Sequence, residues 1–359
     1  MADDAERLID FISSVSGDAY LKVEETLGDG YVRLKVSEAE RRQAKHDIRS
    51  IEDIVVEMLR NARDAHAQRI FLATTREGDT RTLAVIDDGI GVPAHLHQAI
   101  FEPRVTSKLE TMVMDRWGVH GRGMALYSVR SNVLEAGIAS SDIHKGCAMR
   151  VVIDTTTLGE RADQSTWPDV ERDETGRLTV TRGPHNIVRR VLEFACEHPE
   201  IDIFLGSPAE ILATMHRAAR DVLDTSELMF CDDPMRMLVW QRPAVSADAA
   251  ELVSIARNLG LDISERTAHR VLSGELNAQR AVLAAVAAKE PPAPAPTPDI
   301  YRDRRGLRIH HTDLATFRSE LERAFDVLSE RYYLHLKGEP RVTVGANEIR
   351  VRFSVEKED

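Results

Sequence analysis

A strand-like run ending on two aspartates and two glycines constrains this chain more than any other feature. The run RTLAVIDDG reads as a strand over 81–87, and VIDDGIGV carries it directly into Asp87-Asp88-Gly89-Ile90-Gly91. Glycines placed directly after a strand let the backbone turn sharply and let a ligand approach it. A tight turn with no ligand accounts for the pattern equally well. A second strand-like run, RIFLATTRE at 69–77, comes just before it.

The helix ahead of these strands carries polar groups at regular spacing. In EMLRNARDA, Glu57, Asn61 and Asp64 fall at i, i+4 and i+7 and share one helical face. Solvated polar faces are common, so this spacing alone marks no site. Further along, IFEPRVTSK offers the hydroxyls of Thr106 and Ser107 and the cation of Lys108 in a loop. The run GVHGRGMALYSV then sets Gly118, Gly121 and Gly123 before an apolar helix that begins at Met124. Successive backbone N–H groups at a helix N-terminus form an anion cradle suited to phosphates. No GK[ST] follows, so this is not a Walker loop, and it opens no first βα turn as a dinucleotide fingerprint does.

Taken together and in this order, the four stretches resemble the GHKL superfamily, the ATP-binding fold shared by gyrase, the heat-shock chaperone, sensor histidine kinases and MutL. That family runs an E-x-x-x-N-x-x-D-A helix, then D-x-G-x-G, then a lid, then a glycine-rich phosphate loop. The matching residues are Glu57, Asn61, Asp64, Ala65, Asp87, Gly89, Gly91, Gly118, Gly121 and Gly123. The resemblance implies an α+β fold, with a Bergerat-type α/β sandwich whose mixed sheet is covered by helices on one face. It implies ATP and Mg²⁺ as ligands. Asn61 would hold the metal through its side-chain oxygen, since a hard cation takes oxygen ligands and keeps several waters. Glu57 would deprotonate the attacking water. Asp87 would accept from the adenine amino group, and Gly91 would leave room for the ring. Gly118, Val119, His120, Gly121, Arg122, Gly123 and Met124 would wrap the triphosphate, with Thr106, Ser107 and Lys108 as further contacts. Many relatives have Asn where Asp88 stands, so Asp88 adds a charge near the site.

The later chain is similar to the B subunit of topoisomerase VI. After a polar stretch with a short strand at LTVT, GPHNIVRRVLEFACEHPEIDIFLGSPAE (183–210) reads as helix, strand and helix start. This divides the chain into an ATP-binding domain with an N-terminal hairpin (1–240), a helix–two-turns–helix-like block (245–289), a Pro/Ala-rich linker (290–299) and a short transducer-like α/β tail (300–359). A generic helical bundle fits 245–289 as well. Within the tail, Lys337 is the candidate for a lysine reaching the γ-phosphate, or is a solvated loop lysine. These likenesses imply an ATP-dependent homodimer acting with a separate DNA-cleaving subunit on DNA. A chaperone- or MutL-like protein clamp is the alternative, and a histidine kinase a third. Only His46 precedes the motif, which leaves little room for a phosphoacceptor hairpin.

Composition bounds these readings. The net charge of -12 repels nucleic acid unless a basic patch is local. No apolar run approaches a membrane span, and the acidic start lacks a signal-peptide pattern. Cys147, Cys196 and Cys231 form no CxxC and read as buried free thiols of a reducing cytoplasm. His95, His97, His310 and His311 stand without a ligand framework around them.

Overall fold

The structure, a computed structural model, describes residues 23–107, 113–115, 118–120, 123–161, 163–173, 176–224, 228, 231, 233–288, 309–332, 334–345 and 348–357. The chain divides into two compact units, Met1–Ala288 and Lys289–Asp359. No described helix is long and apolar enough to cross a membrane.

The first unit opens with a hairpin, β1 (Val23–Gly28) and β2 (Tyr31–Leu34), as the Gly28-Asp29-Gly30 turn leads one to expect. Helices α1 (Glu38–Asp47) and α2 (Ile51–Asp64) follow. The two helices part where Ile48 turns extended and Asp53 accepts the Arg49 and Ser50 backbone N–H groups, both at 3.0 Å. Those bonds satisfy N–H groups that a helix start leaves without partners. Strands β3 (Arg69–Glu77) and β4 (Thr80–Asp87) come next, then β5 (Val105–Thr106), β6 (Val113–Asp115) and β7 (Gly118–His120).

Helix α3 (Ala125–Ser131) is shorter than the helix over 124–136 that the sequence leads one to expect. The Asn132 amide donates back to the Ser128 carbonyl at 2.8 Å, and the chain leaves as β8 (Glu135–Asp142) to pair with β9 (Gly146–Asp154). Pairing with the next strand overrides local helical preference here. A second small hairpin, β10 (Asp169–Arg172) and β11 (Leu178–Arg182), lies in the stretch expected to be loop with one strand. Helix α4 (Ile187–Glu197), strand β12 (Asp202–Gly206) and helix α5 (Pro208–Val222) match the expected order.

Five strands form the central sheet in the order β12-β3-β4-β9-β8. β12 runs parallel to β3, and the other neighbours are antiparallel. Ile70, Leu72, Leu83 and Val85 pack with α2 and α4. The alternate residues Phe71, Ala73, Ala84 and Ile86 pack with α5, Trp240 and the helical residues beyond it. The α/β sandwich is therefore present, but the expected cover on one face is corrected: both faces are covered. The reason lies in the strands, whose continuous apolar runs leave no polar face for water.

The second cover includes α6 (Ala249–Asn258) and α7 (Glu265–Leu272), which sit in the same core as the sheet. Helix α8 (Val282–Ala287) contributes Val282 to the opposite core. The helical block is thus part of the first unit. In the second unit, helix α9 (His311–Tyr332) is followed by β13 (Leu334–Leu336), β14 (Arg341–Val344), β15 (Ile349–Arg352) and β16 (Val355–Lys357). Its core includes Phe325 stacked on Phe353 at 5.2 Å. Residues 300–308, the start of the expected α/β tail, lie outside the described residues.

Candidate active site

Helix α2 buries Ile54, Val55, Met58, Leu59 and Ala62 against the sheet. That leaves Glu57, Asn61 and Asp64 along one wall of a cavity of about 160 Å³. The helix stops at Ala65, and His66 takes a left-handed φ of 61°. The Ala65 carbonyl then accepts the Ile90 N–H at 2.9 Å. The polar helix and the Asp-Gly turn are therefore fixed to one another by backbone, although they lie far apart in sequence.

Strand β4 delivers Asp87 to the floor of the cavity. Its side chain accepts the Gly89 N–H at 2.9 Å and is buried. Burial pushes its carboxyl up to about 7; the Asp88 charge adds to the rise, and the Gly89 and Cys147 backbone N–H groups oppose it. Near neutral pH this carboxyl sits between its neutral and ionised forms, poised to ionise when a donor arrives.

The glycines of the turn are needed for backbone approach. A Cβ on Gly89 would lie 2.6 Å from the Ala65 carbonyl oxygen, and one on Gly91 (φ 72°) would lie 2.0 Å from the Asp142 carbonyl oxygen. The expectation that Gly91 leaves room for a ring is corrected on this point. The space its side chain would fill is taken by the β8–β9 turn, while Gly91 itself still lines the cavity. The same turn bonds to Ile90 and Val92 through the His144 N–H and the Ser141 hydroxyl, at 2.6 and 2.8 Å. Asp88 faces the other way, accepting the Gln68 and Arg69 N–H groups at 2.7 and 2.8 Å. Its charge still acts on the Asp87 carboxyl, raising it.

Thr106, Ser107 and Gly123 complete the sequence-derived residues that line the cavity. β5 is held against β2 by the pairs Val32–Thr106 and Arg33–Val105. Arg104 donates its N–H to the Gly123 carbonyl at 2.8 Å, tying the approach to β5 to the start of α3. The Met124 carbonyl caps α3 by accepting the Ser128 N–H and hydroxyl at 2.8 and 2.9 Å. Gly118, Val119 and His120 form β7, paired with β6. Lys108, Gly121 and Arg122 lie outside the described residues.

Arginines attend Glu57 and Asp64, the two α2 carboxylates that line the cavity. Arg60 Nη1 donates to Glu57 Oε1 at 2.5 Å. Arg63 donates to Asp64 Oδ1 through Nε and Nη2 at 3.0 and 2.8 Å, and its Nη1 meets His198 at 3.3 Å. Asn61 is different: its amide nitrogen is buried with no hydrogen-bond partner among the described residues.

Sequence reasoning missed several wall residues. Tyr31 enters from the β1–β2 hairpin. Burial raises its phenol, and a hydrogen bond with Ser107 opposes the rise. Cys147 and Met149 come from β9, and burial beside Asp87 holds the Cys147 thiol well above its ordinary value. Arg60 was within reach of sequence reading, because i+3 places it beside Glu57. Nothing local points to Tyr31. Cys147 and Cys196 are buried and outside any disulfide, and Cys231 is half-buried. No group of three or more His, Cys, Asp or Glu among the described residues is arranged to hold a metal.

No curated protein matches the chain. Residues 46–157 match the family described as histidine kinase-, DNA gyrase B-, and HSP90-like ATPase. That span includes α2, the Asp87 turn, β5, α3 and β9, and so holds nearly all of the cavity. Over residues 46–157 the chain is thus similar to the ATPase domains of the histidine kinase, DNA gyrase B and HSP90 kind.

Proposed function

We propose that the chain binds ATP with Mg²⁺ in the α2–Asp87 cavity and hydrolyses it. The observation that supports this best is the convergence of Glu57, Asn61 and Asp87 on one cavity inside the matched span. Asp87 reads the base, its ionised carboxylate accepting the adenine amino group. The Met149, Val85 and Ile100 side chains give the base an apolar enclosure.

The donor set fits a hard cation at Asn61. The Asn61 amide has a buried end without a partner among the described residues, and turning the amide exchanges its nitrogen and oxygen in the same outline. One protein oxygen suffices when phosphates and waters supply the rest. Magnesium, when bound, neutralises phosphate charge. Glu57 takes a proton from water as the water oxygen bonds to the γ-phosphorus. The bond to the β–γ bridging oxygen breaks, its electron pair leaves with ADP, and inorganic phosphate is released.

We further propose that nucleotide drives two copies together, as a clamp acting with a DNA-cleaving partner. The likeness of 183–210 to the topoisomerase VI B subunit supports that use. The protein-clamp reading is favoured by a different observation, the net charge of -12, which opposes DNA contact. Stimulation of ATPase activity by DNA at stated salt separates the two. Phosphate release by the wild type and its loss in Glu57→Gln tests the hydrolysis itself. Full turnover in the variant removes Glu57 as the base.

A further inference from the structure

Arg60 is 4% exposed and lines the same cavity as Glu57. Arginine rarely sits this deep unless its charge is matched. Its Nη1 meets Glu57 Oε1 at 2.5 Å from one turn further along α2. Both groups therefore ride on one rigid scaffold. Arg63, the next arginine along α2, points elsewhere, holding Asp64 and reaching His198 and the Phe194 ring.

We propose that Arg60 is the positioning residue for the Glu57 carboxylate, fixing one oxygen so that the group meets the attacking water in a single orientation. The inference rests on the reading of Glu57 as the base. Proton transfer requires the acceptor within hydrogen-bond reach and correctly turned. A buried guanidinium held against one oxygen restricts rotation of the carboxylate about its last bond. This binding of the base by a neighbour is charge-assisted and strong, and burial makes any unpaired state of Arg60 costly.

The test is steady-state ATPase kinetics on the full chain over a range of pH, with Arg60→Gln, Arg60→Lys and Glu57→Gln. In Arg60→Gln the account expects kcat to fall about tenfold or more with KM nearly unchanged. It also expects the acidic limb of the kcat–pH profile to move to higher pH, because a positive neighbour of the carboxylate is removed. A purely structural role would not move that limb. A raised KM with an unmoved limb overturns the proposal, because Arg60 would then act by gripping phosphate. If Arg60→Gln does not fold, Arg60→Lys decides: lower kcat at constant KM supports the role, and wild-type kcat or a raised KM overturns it. Glu57→Gln keeps the two failures apart. Turnover without Glu57 sinks the base assignment, whereas its loss beside an unmoved Arg60 limb sinks the positioning role alone.

Discussion

The Asp87 end of the cavity and the α2 face are built on opposite plans. At the Asp87 end the backbone is locked. Gly89 and Gly91 have neighbours where a Cβ would be, at 2.6 and 2.0 Å, and the buried Asp87 carboxyl is met by backbone N–H groups. On the α2 face the backbone is an ordinary helix, and the work is done by long side chains whose charges are paired to arginines. A locked backbone suits selecting one flat ligand group. Paired side chains suit a step in which charge and protons move.

Each plan breaks in its own way, and the largest effect belongs to the helix. Glu57→Gln should lower kcat by about 10²- to 10⁴-fold while ATP affinity stays within a few-fold, read by phosphate release and by titration. That outcome separates chemistry from binding. At the other end, Gly91→Ala puts a methyl against the Asp142 carbonyl at a left-handed φ of 72°. It should destabilise the first unit by about 3 kcal/mol or more in denaturant unfolding. A loss near zero would mean that the turn is not locked.

Asp87 sharpens the contrast through pH. Its folded-state pKa of about 7 stands above the ordinary 3.8. For this group the stability contribution is therefore fully present below pH 3.8 and is lost as pH rises through 7. ATP should show the opposite trend, binding more tightly as pH climbs from 6 to 8, because the base needs the ionised acceptor. Asp87→Asn should abolish both trends. The smallest effect should come from Asp88→Asn, since an amide oxygen still accepts from Gln68 and Arg69. Stability should change by less than about 1 kcal/mol, and the Asp87 titration should move to lower pH as a negative neighbour is removed.

Local patterns in the sequence carried the α2 face, because i, i+4 and i+7 settle which side chains share a helix side. They also carried the Asp87 turn, whose glycines mark close approach. What they missed was long-range. Tyr31 reaches the cavity only because β2 pairs with β5, and no residue near Tyr31 announces that pairing. The second cover of the sheet was legible in principle, in the unbroken run Ile70-Phe71-Leu72-Ala73. It went unread because the helices that supply it lie well over a hundred residues downstream. The end of α3 failed for a nearer reason: β8 draws the chain into a hairpin with β9.

Calorimetric titration of the full chain with ATP and Mg²⁺, beside Asp87→Asn, tests the central claim most directly. The account predicts saturable uptake at one site by the wild type, tighter at pH 8 than at pH 6, and little or none by the variant. Absence of uptake by the wild type, or equal uptake by both proteins, would contradict it.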